Sequence, residues 1–348
     1  MTSSVRMYTY FYDHVRKHIG YILADIGSLS PAAQCQLFYV FGAVTVLAIA
    51  ATPDSVRRLL TEYGARTSSS SNASSSVPTT TPPSDHHDKD SRRQTDSAVT
   101  GLLVRLIAPI TSASKVPHSW FMHFYILSLS CTVLWAVQFA THGALLETIA
   151  ESQSSKSTTS MAIEQVGLVW LLMGLQGARR LYEYLVVLQP SSSRMWVVHW
   201  LLGNSFYLCT SVAIWVEGSK SLLCSDRRSL PIGSPTVKSV LATSGFMVAW
   251  LMQYRCHQHL AGLKKYSLPH EGLFRYLVCP HYTCECLIYL SMAFVAAPEG
   301  ELYNRTLACA VLFVVVNLGV TANGTKQWYG EKFGVMAQRK WKMVPVLF

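Results

Sequence analysis

The stretch MAIEQVGLVWLLMGLQGARRLYEYLVVLQ (161–189) decides how this chain is built. It is apolar over more than the roughly 20 residues that a helix needs to cross a hydrocarbon core about 30 Å thick. Yet it carries Arg179, Arg180 and Glu183 well inside its length. Charges at that depth are costly unless they face protein or a water-filled cavity, so the helix must tilt, bend or turn them inward. Gln176, Arg180 and Glu183 are spaced to share one helical face. Such a face is either an internal ion pair that lets a long helix stay in the bilayer or the polar wall of a cavity. The depth of the charges favours the cavity.

Six further apolar runs stand at about 32–51, 120–140, 195–216, 236–252, 277–297 and 306–322, the fifth and seventh of the full set being short. The chain therefore reads as all-α, a polytopic membrane protein with about seven transmembrane helices (six to eight). Composition agrees: half of the residues are hydrophobic, only 14% are charged, and mean hydropathy is +0.24, which excludes an ordinary soluble domain. The first thirty residues hold Arg6, Arg16 and Lys17 but no apolar core followed by a small-residue cleavage site, so the first span is expected to act as the targeting signal. With the N-terminus outside the cytosol, the cytosolic loops hold roughly twice as many Lys and Arg as the lumenal ones, which predicts a cytosolic C-terminus.

The reading divides the chain into an N-terminal segment (1–31), a first span with its flank (32–65), an insert (66–98) and a membrane domain (99–348) whose last part (253–348) is polar and basic. The insert, which contains TSSSSNASSSVPTTTPPSDHHDKD (67–90), lacks apolar residues to bury and is expected to be disordered. Its His86–His87–Asp88 run reads as solvated rather than metal-binding. The net charge of +10 is spread over loops, so no nucleic-acid partner is expected; a basic cytosolic rim attracting anionic lipid or phosphate fits better. Of nine cysteines, Cys35, Cys131, Cys209, Cys286 and Cys309 fall in spans and read as small core residues, not a disulfide framework. Sequons occur at Asn72, Asn304 and Asn323; in this topology only Asn304 faces the lumen.

No glycine-rich dinucleotide fingerprint, phosphate-binding loop, zinc-hydrolase or serine-hydrolase signature is present. Polar groups concentrate instead in QYRCHQHLAGLKK (253–265), in HEGLFRYLVCPHYTCE (270–285) and in the tail TKQWYGEKFGVMAQRKWKMVPVLF (325–348). Cys279, His281, Cys284 and Cys286 lack the paired spacing of a zinc site, so no metal is expected. His281 and Glu285 lie one turn apart, suited to gripping an amide or ribose, or to a hydrogen-bonded helix start. In VPHSWFMHFYILSL (116–129), Trp120 and Phe121 suit an interfacial belt, whereas His123 and Tyr125 are able to give a proton or hydrogen bond to a carbonyl.

Taken in order, YGAR (63–66), VPHSWFMHFYILSL, LQGARRLYEYL (175–185), QYRCHQHLAGLKK, GLFRYLVCPHYTCECLIYLSMA (272–293) and QWYGEKF followed by QRKWKMVPVLF resemble the steroid 5α-reductase family, in particular its polyprenol (polyprenal) reductase branch. The resemblance covers most of residues 55–348 outside the insert and several loops. It implies a seven-helix reductase of the endoplasmic reticulum that uses NADPH. Hydride would pass to the β carbon of an α,β-unsaturated carbonyl, with a proton following at the α carbon. The substrate would be a long-chain polyprenyl lipid taken from the membrane, and the product would lead to dolichol for protein glycosylation.

Carried over by position, Glu285 matches a cofactor-contacting glutamate, and Gln253 and His257 match a polar pair that steroid reductases write as N-x-x-x-D. His281 stands where those enzymes often have Asn. Tyr266 and Tyr329 match tyrosines of the cofactor pocket, and Arg179 an arginine of the third span. Lys264, Lys326, Arg339 and Lys340 would supply charge toward phosphates. The steroid enzymes place a tyrosine near Gln176 and a glutamate in the second span; neither is present, which argues against a steroid 3-ketone. Gln176, Tyr182 and Glu183 would then line the reaction cavity, with Tyr125, His123 or Tyr182 as the acid. Rival readings are a steroid or enoyl-thioester reductase, an isoprenylcysteine-type membrane methyltransferase, and a lipid-binding scaffold or transporter.

Overall fold

The structure, a computed structural model, describes residues 2–61, 90–157, 160–188, 193–224, 236–264, 267–346 and 348. Its helices are α1 (Thr2–Ser28), α2 (Pro31–Ala50), α3 (Asp54–Thr61), α4 (Asp90–Ala113), α5 (Met122–Ala140), α6 (Ala144–Ser154), α7 (Ile163–Tyr182), α8 (Val197–Val216), α9 (Ser219–Cys224), α10 (Val237–Gly262), α11 (Pro280–Val295), α12 (Arg305–Phe333) and α13 (Val335–Gln338). Two short strands, β1 (Lys115–Pro117) and β2 (Arg194–Trp196), pair antiparallel ahead of α5 and α8.

The protein is an all-α polytopic membrane protein. Each of the seven apolar runs is occupied by a helix: α2, α5, α7, α8, α10, α11 and α12. Among the described residues, four helical stretches are long and apolar enough to cross a membrane unaided: Pro31–Ala50, His118–Ala140, Val197–Val216 and Arg305–Phe333. The third run carries its charges, and α11 has only 16 residues. Three helices start where short side chains cap them. Ser30 accepts from Ala33 N ahead of Pro31, Thr236 from Ser239 N, and Asn304 from Leu307 N. Each cap satisfies one of the amides that a helix start leaves unpaired.

The sequence reading leaves α1, α4, α6 and α9 unassigned, because their polar residues break any long apolar run. The expected unstructured insert lies mostly outside the described residues; from Asp90 onward the chain is in α4.

The core is aromatic. Phe206 of α8 sits with its ring centroid 5.5 Å from both Tyr289 of α11 and Phe313 of α12, and 5.9 Å from Tyr39 of α2. Glycine makes two of these approaches possible. A Cβ on Gly42 would stand 2.8 Å from the Phe313 ring, and one on Gly203 would stand 2.6 Å from the Phe124 ring.

On one side of this aromatic layer the bundle is closed by polar contacts. Gln153 Oε1 accepts from Ala32 N at 3.0 Å, Gln36 Nε2 donates to Thr306 Oγ1 at 2.9 Å, and Thr306 donates on to Glu217 at 2.5 Å. Asn304 belongs to the same end and is fully buried. Its Oδ1 caps α12 and its Nδ2 donates to Ala296 O at 3.2 Å. The nitrogen that glycosylation would modify is thus committed inside the fold, as suits a short motif arising by chance. Glycosidase treatment is therefore expected to leave gel mobility unchanged, and Asn304→Ala to cost about 1–2 kcal/mol as a lost cap, measured by thermal stability in detergent.

Candidate functional site

On the other side of the aromatic layer the helices part. The last turns of α2, α7, α10 and α12 and the first turns of α5, α8 and α11 surround a cavity of about 1800 Å³. Alternating crossings bring all seven ends to the same face of the bundle.

The decisive local feature is a change of helix type. At Glu183–Val187 the backbone widens into a π-helical turn, where Leu188 N reaches back five residues to Glu183 O at 2.8 Å. Such a turn redirects the side chains on either side of it and often marks a functional site. Just before it, ordinary helical spacings of four and three set the fully buried Glu183 carboxylate between two adjacent arginines. Arg179 Nη1 donates to Glu183 Oε1 at 2.5 Å, and Arg180 Nη1 donates to Glu183 Oε2. The two guanidinium groups then diverge. Arg179 turns into the interior, donating to Gln176 Oε1 at 2.8 Å and to Gln253 Oε1, with its guanidinium 5.1 Å from the Trp250 ring centroid. Arg180 turns toward the cavity and donates to the Tyr125 hydroxyl at 2.7 Å. The expectation that Gln176, Arg180 and Glu183 form one face is thus modified: Gln176 pairs with Arg179, and Arg180 alone of the two arginines lines the cavity.

A second carboxylate completes the network. Glu285 Oε2 accepts from Gln176 Nε2 at 3.1 Å and from Gln253 Nε2. Gln253 Nε2 also reaches His281 O at 3.1 Å, which ties α10 to the start of α11. His257 Nδ1 stands 2.7 Å from Glu183 Oε2 and 2.8 Å from Arg180 Nη1. One nitrogen cannot serve both: protonated, it donates to the carboxylate; unprotonated, it accepts from the guanidinium. Two arginines and two glutamates thus sit together with every carboxylate oxygen named here paired, as burial of charge demands.

The tail is fastened to this site. Trp341 N donates to Tyr276 O at 2.9 Å, Val278 N to Trp341 O at 2.8 Å, and Thr283 Oγ1 to Met343 O at 2.6 Å. These bonds hold Lys342, Met343, Val344 and Phe348 against the cavity. Lys342 lies near enough to Lys326 that burial and then repulsion between the two ammonium groups hold its pKa below the usual lysine value. An anion between them relieves that repulsion.

Six of the sequence-derived candidates face the cavity or its wall together: Tyr125, Gln253, His257, His281 and Glu285 line it, and Glu183 lies directly behind Arg180 and His257. Gln176 and Arg179 are buried one layer further back. Tyr329 packs under the tail with Val278, Cys279 and Met343. Others stand apart. His123 Nδ1 accepts from Trp200 Nε1 at 3.2 Å beneath an aromatic cluster, away from the cavity. Tyr182 is half exposed on the outer face of α7. Lys264 and Arg339 are exposed, and Tyr266 lies outside the described residues.

Arg180, which the sequence placed on the polar wall of a cavity with Gln176 and Glu183, does line it. Sequence reasoning passed over Tyr207 and Tyr289, which read as ordinary apolar-span aromatics and line the cavity wall. Among the described residues no cluster of His, Cys, Asp or Glu has the arrangement of a metal site.

Comparison with known proteins gives the site a context. Residues 233–348 match the family model described as 3-oxo-5-alpha-steroid 4-dehydrogenase. This segment spans α10, α11, α12 and the tail, which supply Gln253, His257, His281, Glu285 and Lys342. The chain is 26% identical to a polyprenal reductase of Caenorhabditis elegans, over 66% of this chain and 79% of the relative. It is 28% identical to one of Saccharomyces cerevisiae, over 70% and 78%. A polyprenal reductase 2 of Oryza sativa subsp. japonica is 26% identical, over 68% and 81%.

Proposed function

We propose that the chain, which matches the 3-oxo-5-alpha-steroid 4-dehydrogenase family model over its last third and is similar to polyprenal reductases, is an NADPH-dependent reductase of the α-isoprene double bond of a polyprenal, feeding dolichol synthesis and protein glycosylation at the endoplasmic reticulum with its C-terminus in the cytosol. The observation that carries this reading is the single cavity that joins a charged wall to an apolar, lipid-open slot. At 1800 Å³ it exceeds the range of about 300–1,000 Å³ typical for one small ligand, leaving room for a cofactor beside part of a lipid chain. Phe41 and Leu47 of α2 and Val315 of α12 line it and are exposed, which supports an opening at its apolar end. A prenyl chain thus has a sideways route between α2 and α12 into the bilayer.

The residues present suit NADPH. His281 Nδ1 is buried without a partner among the described residues and is available to a ligand amide or hydroxyl. Lys326 and Lys342 repel one another and offer a place for phosphate. Glu285 and Gln253 face the cavity from α11 and α10 to fix an amide. When bound, NADPH supplies the hydride. The chain supplies the rest: the apolar walls exclude water, and the Arg180 side places positive charge where an enolate develops.

The test is NADPH oxidation by purified protein in detergent, offered polyprenal, polyprenol and a steroid enone side by side. Oxidation with polyprenal alone is expected. Turnover of the steroid would move the substrate to the wider family; Gln176, buried where steroid enzymes place a ketone-polarising tyrosine, speaks against that outcome. Binding of S-adenosylmethionine without NADPH turnover would instead identify a methyltransferase.

A further inference from the structure

The acid of the reaction can be chosen from hydrogen-bond accounting. Of the three candidates, His123 has its Nδ1 occupied by Trp200, and Tyr182 faces outward. Tyr125 alone lines the cavity. Its oxygen accepts from Arg180 Nη2 at 2.7 Å, and a guanidinium has no lone pair with which to accept in return. Among the described residues no acceptor receives the Tyr125 hydroxyl hydrogen, and the side chain is only 6% exposed. That hydrogen is therefore left to point into the cavity. Tyr184 and Tyr207 flank the phenol with ring centroids 6.3 Å away, and Glu285 lines the same cavity.

Arg180 is itself held. Its Nη1 is tied to Glu183 Oε2, which His257 also contacts, while Arg179 grips the carboxylate by Oε1 on the other side. The guanidinium cannot swing away from the phenol without breaking that ion pair. A positive group fixed at a phenolic oxygen stabilises the phenolate that proton donation leaves behind, in a site where water does not screen it.

Resting on the reductase reading above, we propose that Tyr125 is the proton donor and that Arg180, anchored by Glu183, is the positioning residue that makes it one. The substrate's carbonyl oxygen accepts the Tyr125 hydrogen bond. As hydride from NADPH bonds to the β carbon, the C=C electron pair shifts to the bond between the α and carbonyl carbons. The C=O electron pair passes to oxygen, which takes the Tyr125 proton to give an enol. The enol becomes the saturated aldehyde by gaining a proton at the α carbon and releasing one from oxygen. The phenolate beside Arg180 recovers its proton from water, and NADPH leaves as NADP⁺.

Two readouts test this. The first uses no cofactor: difference infrared spectroscopy of a short-chain prenal, isotope-labelled at its carbonyl carbon and bound to the full-length protein. The wild type is expected to lower the carbonyl stretching frequency relative to detergent solution. Tyr125→Phe is expected to abolish that shift, Arg180→Gln to reduce it, and Arg180→Lys to restore part of it. The second is turnover: Tyr125→Phe is expected to lose about 100-fold or more in kcat with little change in KM. A Tyr125→Phe protein that keeps both the shift and kcat overturns the proposal. Should that variant fail to run as a monodisperse species, the arginine pair decides, and equal shifts in Arg180→Gln and wild type overturn it. Failure of the wild type to oxidise NADPH with any prenal is a separate result, striking at the reductase reading instead.

Discussion

Replacing Glu183 by alanine is expected to destabilise the protein by about 3–5 kcal/mol, the range for breaking a buried ion pair from one side. The carboxylate takes hydrogen bonds from both arginines and lies against His257. Removing it leaves two guanidinium groups and one imidazole facing each other with only the more distant Glu285 as counter-charge. Glu183→Gln keeps an acceptor but not the charge and is expected to fall between alanine and the wild type. Thermal unfolding in detergent, followed by loss of the monodisperse peak, measures both. A Glu183→Ala protein as stable as wild type would mean that the arginines find other partners and that this ion pair does not hold the end of α7.

Glu285→Ala is expected to behave differently. Its carboxylate accepts from two neutral amides, those of Gln176 and Gln253. Its loss leaves those donors without an acceptor, a cost of about 1–3 kcal/mol, which a folded bundle survives. Catalysis is where the effect should appear: turnover with NADPH and polyprenal is expected to drop by about 100-fold or more, the scale of removing one preorganised polar group from a water-poor site. Equilibrium NADPH binding should weaken as well. Wild-type turnover by this variant would remove the cofactor from the α10–α11 wall.

The spans were legible because apolar runs and interrupting charges follow directly from what a bilayer tolerates. The placing of Gln253, His257, His281 and Glu285 together was legible through their density in a short stretch of sequence. What a linear reading does not contain is which arginine turns inward. Counting in steps of three and four joins Gln176 to Arg180 and equally to Arg179, and packing against Gln253 and Tyr125 decides between them. Nor does sequence show which tyrosine faces inward. Tyr125 and Tyr182 look alike as letters near span ends, and only packing buries one and leaves the other half exposed.

One consequence concerns how the protein is made. The apolar part of the cavity is walled by α2 and α12, whose contacts include Gln36 with Thr306 across 270 positions of sequence. Nascent α2 enters the membrane long before its partner exists, with Gly42 and the polar Gln36 uncovered. Long-range closures of this kind form slowly and expose sticky surface meanwhile. Biogenesis of this reductase should therefore depend on insertion factors that shelter early helices, and substitutions in α2 should lower its yield in cells more than they lower the stability of molecules that complete assembly.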